Sequence, residues 1–534
     1  MLEGPGMKKT FVGTLLSALC VTGAMAAGTL TVCTDAAPEG FDVVQYELAV
    51  TNDAAGLPLY DTLVRFKPGG TELLPGLAER WAVSPDGLVY TLELRKGVKF
   101  HATPWFKPTR ELNADDVLWS INRMFDKAHP AHASARNGYV YWAGMEMGKL
   151  IARVEKLDAM RVRFTLTRPN APFLANLSIP NIGAIYPAEY GEQLLKAGKL
   201  DALNTQPVGS GPFVFRSYQK DAQVRYDAHL EHWGGRPPVD RMVFAVTVDA
   251  DVRAQRLKAG ECLVGGAMKP QSVAAFDAGG EVQMLRNTPL ATNYLALNVK
   301  RKAMADARLR RALSMAIDKK TFVQSVNAGF AAPAASFLPP GIWSHDKTLK
   351  DRSDVEQANL QAKALVKASG YDGSELIMFV AIGGTRKVAG ELLMADFAKI
   401  GVKVVVRMME LGELFKRSGQ GEHDIAMLAW YGDNGDPDNF FTPNLSCAAA
   451  AQGGGNKAHW CDARFDALLD AANKTTDTAR RTELYTQAQR LLHDEVPVIP
   501  LTYPMIMTAV NKRVSGFVPS PFNNLDFRAV SVKP

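Results

Sequence analysis

The chain is poor in the features that mark common enzymes and membrane proteins. Its 534 residues contain no GxSxG elbow, no GxxxxGK[ST] phosphate loop and no HExxH helix. That removes the usual serine-hydrolase, nucleotide-loop and zinc-peptidase signatures. The nine histidines are scattered, and no CxxC pair occurs, so no metal or other cofactor is expected. A glycosidase-type carboxylate pair finds no positive support among the many acids. Charge of one sign is not in excess either, since 61 basic residues against 55 acidic ones give +6, which offers no footprint for nucleic acid. An apolar run of about 18 residues, the least that spans a bilayer, is missing beyond residue 30. Repeats and low-complexity tracts are absent despite 30 Pro and 44 Gly, which rules out fibrous or disordered classes.

What is present suits a large exported globular protein. Hydrophobic residues at 47% and charged residues at 22% are ordinary globular values. A chain this long exceeds what one core supports, so two large domains, or one with a large insertion, are expected. Lys8 and Lys9, an apolar stretch to about Val21 and the Ala24-Met25-Ala26 triplet form a signal peptide over residues 1–26, cleaved after Ala26. Translation starts at Met1 or Met7. Losing Glu3, Lys8 and Lys9 leaves a mature charge of +5. Cys20 lies in the leader's apolar stretch, behind a Leu that lipid processing disfavours. Four cysteines then remain, an even number with three possible connectivities. Cys447 and Cys461 bracket a Gly-rich loop whose closure would contribute about 3 kcal/mol. That pairing is favoured and leaves Cys33 with Cys262.

Strand-like and helix-like segments mix along the chain. Strands are expected at 29–33, 89–94, 162–166, 213–218, 242–248, 292–298, 376–381, 402–408 and 497–502. Helical spacing marks 114–125 behind an Asn113 cap, 306–317, 388–400 and 478–492. In 306–317 the leucine stripe faces the core, and Arg308, Arg310 and Arg311 are expected on or near the exposed side. Helices preceding strands in the second half indicate α/β architecture. The most informative stretch runs from Trp430 to Phe441, where a strand-like segment at 425–429 empties into GDNGDPDNFF. Acids at a strand end beside aromatic rings suit a cationic group. The same composition also builds an ordinary solvated turn. Its spacing fails the EF-hand calcium pattern.

Several separated motifs together resemble the bacterial solute-binding proteins of family 5, the dipeptide and oligopeptide type that serves ABC importers. Leu77-Ala78-Glu79-Arg80-Trp81, Ser84-Pro85-Asp86-Gly87, LRKGVKFH at 94–101 and Asn113-Ala114-Asp115-Asp116-Val117 follow its N-terminal signature in order. Gly209-Ser210-Gly211-Pro212-Phe213 matches its glycine-proline turn, and RLRRALSMAID at 308–318 its second-lobe helix. CTDAAPEGF from Cys33, the GDNGDPDNFF segment and the cysteine positions are similar to the dipeptide-binding branch. The resemblance covers residue 29 to the C-terminus.

It implies an α/β, two-lobed periplasmic-binding-protein fold of type II with an extra subdomain, two crossover segments and hinge closure over the ligand. Lobe I would span 27–285 with the insertion at about 60–200, lobe II 286–503, and 504–534 would return to lobe I. It implies the disulfides Cys33–Cys262 and Cys447–Cys461. Asp433 would pair with the ligand's ammonium, with Trp430 and Gly432 nearby, and the peptide main chain would pair with protein backbone. The family holds the ligand's carboxylate with an arginine in the loop matching 382–387, which is about four residues shorter here. Arg386, with Lys387 as substitute, is the expected anchor, and a surface-facing Arg386 is the alternative. The expected protein is a monomeric, non-enzymatic periplasmic binder of a small peptide, preferably a dipeptide, docking on inner-membrane ABC permease subunits. Haem, glutathione, a longer peptide or a metal chelate are the alternative ligands, and an exported two-domain hydrolase is the remote alternative.

Overall fold

The computed structural model describes Met1 and residues 28–533, apart from positions 47, 136, 137, 267, 269, 278, 452 and 453. The expected leader, its cleavage point, Cys20 and Gly453 therefore lie outside the described residues.

The first described strand, Thr29–Thr34, is rich in β-branched residues and sits centrally in a seven-stranded sheet. It runs parallel to Arg241–Val246 and Val264–Gly265. Flanked on both sides, Leu30, Val32 and Cys33 are fully buried. The order across the sheet is Val282–Asn287, Ile506–Asn511, Val264–Gly265, Thr29–Thr34, Arg241–Val246, Gln223–Ala228 and Phe213–Gln219. Ile506–Asn511 is thus a late strand lying among early ones.

Between Thr34 and Phe213 the chain builds a separate antiparallel sheet, ordered Ala78–Val83, Val89–Leu94, Arg161–Leu166 and Ile151–Asp158. Helix Ala114–Phe125 packs on this insertion and forms where the sequence predicts. Asn113 accepts the Asp115 amide while the Asp116 carboxylate accepts the Asn113 amide, a reciprocal cap. The helix's Arg123 reaches Asp42 in a fully buried bidentate pair and lies over the Trp119 and Tyr186 rings. Burial alone would raise Asp42, yet the adjacent guanidinium holds its carboxyl below the usual range. This pair ties the insertion to the segment that follows Thr34.

A second sheet of six strands is ordered Ala331–Pro333, Val498–Pro504, Ala291–Leu297, Ile425–Tyr431, Leu376–Ala381 and Val404–Met409. The chain passes between the two large sheets twice, through residues 288–290 and through Met505. Each sheet has its own core, so the molecule is a two-lobed α/β fold.

Three local expectations differ from the structure. Arg310 is buried, not outward. Its guanidinium donates to the carbonyls of Met304, Ala305, Glu495 and Val496, collecting acceptors left over at helix ends. The helix expected at 388–400 is Arg386–Lys399, so Arg386 and Lys387 belong to its first turn instead of the preceding loop. Strand Ile425–Tyr431 extends two residues further than its apolar run, because Trp430 and Tyr431 pair with Thr292 and Ala291.

Both disulfides are formed as expected, Cys33–Cys262 and Cys447–Cys461, the latter across 14 residues. Replacing both Cys447 and Cys461 by Ser should lower unfolding stability by about 3 kcal/mol in denaturant melts. Arg123→Met should cost about 3–5 kcal/mol by stranding a buried carboxylate, and adding Asp42→Leu should recover much of that loss.

Candidate functional site

Strand Ile425–Tyr431 is paired unequally on its two edges. One edge runs in register with Ala291–Leu297 along its whole length. The other meets Leu376–Ala381 only at Ile425 and Ala426. Among the described residues, 427–431 therefore have no strand neighbour on that side. Residues 428–431 line a cavity of about 980 Å³ between the lobes. Its opposite wall comes from the first lobe, including residues 65–70, 140–146 and 178–181, and from the C-terminal return at 516–529.

Beyond Tyr431 the chain turns sharply. The Gly432 amide donates to the Leu290 carbonyl at 2.6 Å, binding the strand's end to a crossover segment. A Cβ at Gly432 would lie 2.6 Å from the Phe440 ring, so only glycine fits. Gly435 has φ +69°, and a Cβ there would come within 2.8 Å of Thr71 on the opposite lobe.

The three acids of the segment have separate fates. Asp436 is committed to a bidentate pair with Arg481, both bonds 2.8 Å. Asp438 accepts from Thr442 at 2.7 Å and from Asn473 at 2.8 Å. Of the three, Asp433 alone lines the cavity. Its amide donates to Asn439 Oδ1 at 3.0 Å. Among the described residues no basic side chain lies within ion-pair distance of its carboxylate. Burial pushes the carboxyl up to about 6, with hydrogen bonding to Tyr141 and Asn439 working in the other direction.

The turn is also where the lobes meet. Asn434 donates to Asn176 at 2.6 Å, the Asn439 amide group approaches the Met145 sulfur at 3.8 Å, and the Ala171 amide donates to the Asn473 carbonyl at 3.2 Å. Tyr141 and Met145 belong to the insertion. Nothing in the local sequence pattern assigns them to the site, because only folding brings them to Asp433.

Trp430 is half-buried on the cavity wall, and its indole N–H has no acceptor among the described residues. Arg386 and Lys387 are exposed and do not line the cavity. Arg386 donates to the Ile382 carbonyl at 3.3 Å, and its charge bears on the Tyr431 hydroxyl. Lys387 lies 3.9 Å from Glu391, one helical turn on. The described residues contain no group of three or more His, Cys, Asp or Glu that could hold a metal ion. None of their helices is long and apolar enough to cross a membrane.

An acid held without a cation beside an open strand edge suits an extended ligand with a positive end, and similarity to known proteins runs in the same direction. Di/tripeptide-binding protein 4 of Pseudomonas aeruginosa (strain UCBPP-PA14) is 48% identical over 527 residues, covering 97% of this chain and 98% of its own. Heme-binding protein A of Haemophilus influenzae (strain ATCC 51907 / DSM 11121 / KW20 / Rd) is 39% identical over 511 residues, 94% of this chain and 92% of its own. The crystal structure of the dipeptide binding protein from Pseudoalteromonas sp. SM9913 in complex with Met-Leu superposes with TM-score 0.85 at 31% identity. It covers 95% of this chain and 100% of its own. Residues 72–452 match the family described as "Bacterial extracellular solute-binding proteins, family 5 Middle". The chain belongs to the family 5 solute-binding proteins of bacteria.

Proposed function

We propose that this protein captures short peptides, dipeptides first, in the periplasm and delivers them to the inner-membrane permease of an ABC importer. The observation that carries this reading is Asp433, a half-buried, cavity-facing carboxylate without a cation among the described residues. A peptide α-ammonium is the complement that relieves such burial. The open edge at 427–431 offers backbone donors and acceptors to an extended main chain, the mode of strand addition. Main-chain pairing is indifferent to side chains, which suits uptake of mixed peptides. Trp430 supplies an aromatic wall beside the ammonium, and Gly432 lets the turn approach it closely.

In this reading Arg386, which lies outside the cavity lining but whose charge bears on Tyr431, reaches in to take the dipeptide's α-carboxylate when ligand binds, with Lys387 in reserve. Lobe I, expected over 27–285 with its insertion at about 60–200, runs on through strand Val282–Asn287. Lobe II, expected over 286–503, runs through Pro504, and the rest of the chain returns to lobe I. Ligand is held by hinge closure about residues 288–290 and Met505, which join the sheets. The protein acts as a monomer, performs no covalent chemistry and presents its closed form to the permease. A cavity of about 980 Å³ also accommodates a tripeptide, lying at the upper end of the ~300–1,000 Å³ usual for small-molecule sites.

Calorimetric titration of ligand-stripped protein tests the proposal. Ala-Ala should bind tightly, N-acetyl-Ala-Ala should not, and Asp433→Asn should cost about 2–5 kcal/mol of binding. Haem binding with no response to any short peptide would overturn it. The pH dependence carries a definite sign. Below about 6 the free protein's Asp433 is protonated, so Ala-Ala affinity should fall as pH drops, approaching about tenfold per unit. Above about 8 the ligand's amino group deprotonates and affinity should fall again. Asp433→Asn should abolish the acidic limb alone, as read in the same titrations between pH 4.5 and 9.

A further inference from the structure

The charged side chains on the two cavity walls differ in how they are satisfied. On the first-lobe wall two of the three cations are in ion pairs, Lys67 with Glu72 at 3.1 Å and Arg528 with Asp526 at 2.8 Å. The third, Arg65, donates to the Pro75 carbonyl at 3.1 Å, and burial and the nearby Arg528 outweigh the pull of Asp526 and Asp61 on it. The second-lobe wall presents one acid, Asp433, and one base, Lys457.

Lys457 is nine-tenths buried, at 7% exposure, yet lines the cavity. Its ammonium donates to the Gly454 carbonyl at 2.6 Å and lies 5.9 Å from the Phe415 ring centre. Among the described residues no carboxylate comes within ion-pair distance of it. His423 bonds the Lys457 backbone carbonyl at 2.9 Å, and burial drives it down to about 4 and leaves it neutral near pH 7. Burial also lowers the lysine itself, with no neighbouring acid to oppose the effect. An ammonium has three donor hydrogens, and one carbonyl uses one of them. A buried cation so placed is incompletely compensated until an anion arrives. The segment that carries it is closed by Cys447–Cys461, which limits its freedom to swing away.

We propose that Lys457 is a second charged anchor of the cavity and reads a ligand carboxylate other than the α-carboxylate of a simple dipeptide. The carboxylate is either the acidic side chain of a dipeptide or the terminus of a tripeptide. The inference rests on peptide capture at Asp433. It adds that the second-lobe wall selects for acidic or longer ligands, a preference that neither Asp433 nor the open strand edge can supply.

The test compares wild type with Lys457→Met and Lys457→Arg by calorimetric titration. The ligands are Ala-Ala, the isosteric pair Ala-Glu and Ala-Gln, and Ala-Ala-Ala with its C-terminal amide. Wild type should prefer the acid over the amide in at least one pair by about tenfold or more, as a charge-assisted hydrogen bond provides. Lys457→Met should erase that preference while Ala-Ala affinity stays within about twofold, and Lys457→Arg should retain part of it. Loss confined to Ala-Glu assigns the anchor to acidic side chains, and loss confined to Ala-Ala-Ala assigns it to the peptide terminus. An acid-over-amide preference that is absent in wild type or unchanged in Lys457→Met overturns the proposal. An equal fall for every ligand, Ala-Ala included, also overturns it and makes Lys457 a structural residue. If wild type binds Ala-Ala but the preferences do not respond, this inference alone fails. If wild type binds none of the panel, peptide capture fails and takes the inference with it.

Discussion

A half-buried carboxylate without a cation is the constraint around which this cleft is organised. Removing an ion from water costs several kcal/mol unless charge or hydrogen bonds replace the lost solvent. At Asp433 the chain supplies hydrogen bonds from its own turn and from the insertion, and no cation. The uncompensated remainder is a demand for a positive group from outside. Among the described residues the backbone groups of 427–431 that face away from Ala291–Leu297 have no strand partner beside it, so a ligand bringing both a charge and hydrogen-bonding partners suits both. Few molecules satisfy both requirements as economically as a peptide amino terminus followed by an extended main chain.

That demand exists only because neighbouring acids are satisfied elsewhere. Asp436 and Asp438 stand within five residues of Asp433, and in a solvated turn all three would be equivalent. Arg481, from helix Thr478–Glu495, removes Asp436 from the competition with two hydrogen bonds. Asn473 and Thr442 do the same for Asp438. Both also brace the turn, since the Asp436 carboxylate accepts the Asp438 amide and the Asn434 side chain accepts the Asp436 amide. The segment is therefore an Asx-rich turn whose internal bonds leave one acid facing the cavity, so its turn-like composition and its proposed binding role have one physical origin.

Much of this was legible before folding, and the failures have specific causes. Helix Ala114–Phe125 matched residue for residue because its cap and periodicity are local. The acid-rich strand end was visible for the same reason. Arg310 was misplaced because periodicity reports where a Cα faces, whereas a long guanidinium can fold back to reach distant carbonyls. Gly383 and Gly384 make the stretch before Arg386 and Lys387 resemble a longer loop. Those glycines, both at positive φ, instead reverse the chain just before the helix begins at Arg386. Tyr141 and Lys457 were not found at all. One comes from an insertion nearly three hundred residues away in sequence, and the other from a glycine-rich loop with no periodicity, so tertiary packing alone reveals their charge environment.

The site and the hinge are coupled by the same electrostatics. Tyr141, Thr71, Asn176 and Met145 approach the turn from the first lobe, so separating the lobes would return Asp433 to water and lift its desolvation cost. With Asp433 as the proposed ammonium site, closure without ligand bears that cost and closure around an ammonium does not. The difference is a free energy that depends on ligand charge and is available only in the closed form, which is what a ligand needs in order to shift a two-state equilibrium. Gly432 strengthens the link, because its amide fastens the end of the ligand-facing strand to Leu290 in one of the two crossovers. On the proposed reading, a ligand on the open strand edge and at Asp433 therefore sits one hydrogen bond from the crossover about which the lobes would turn.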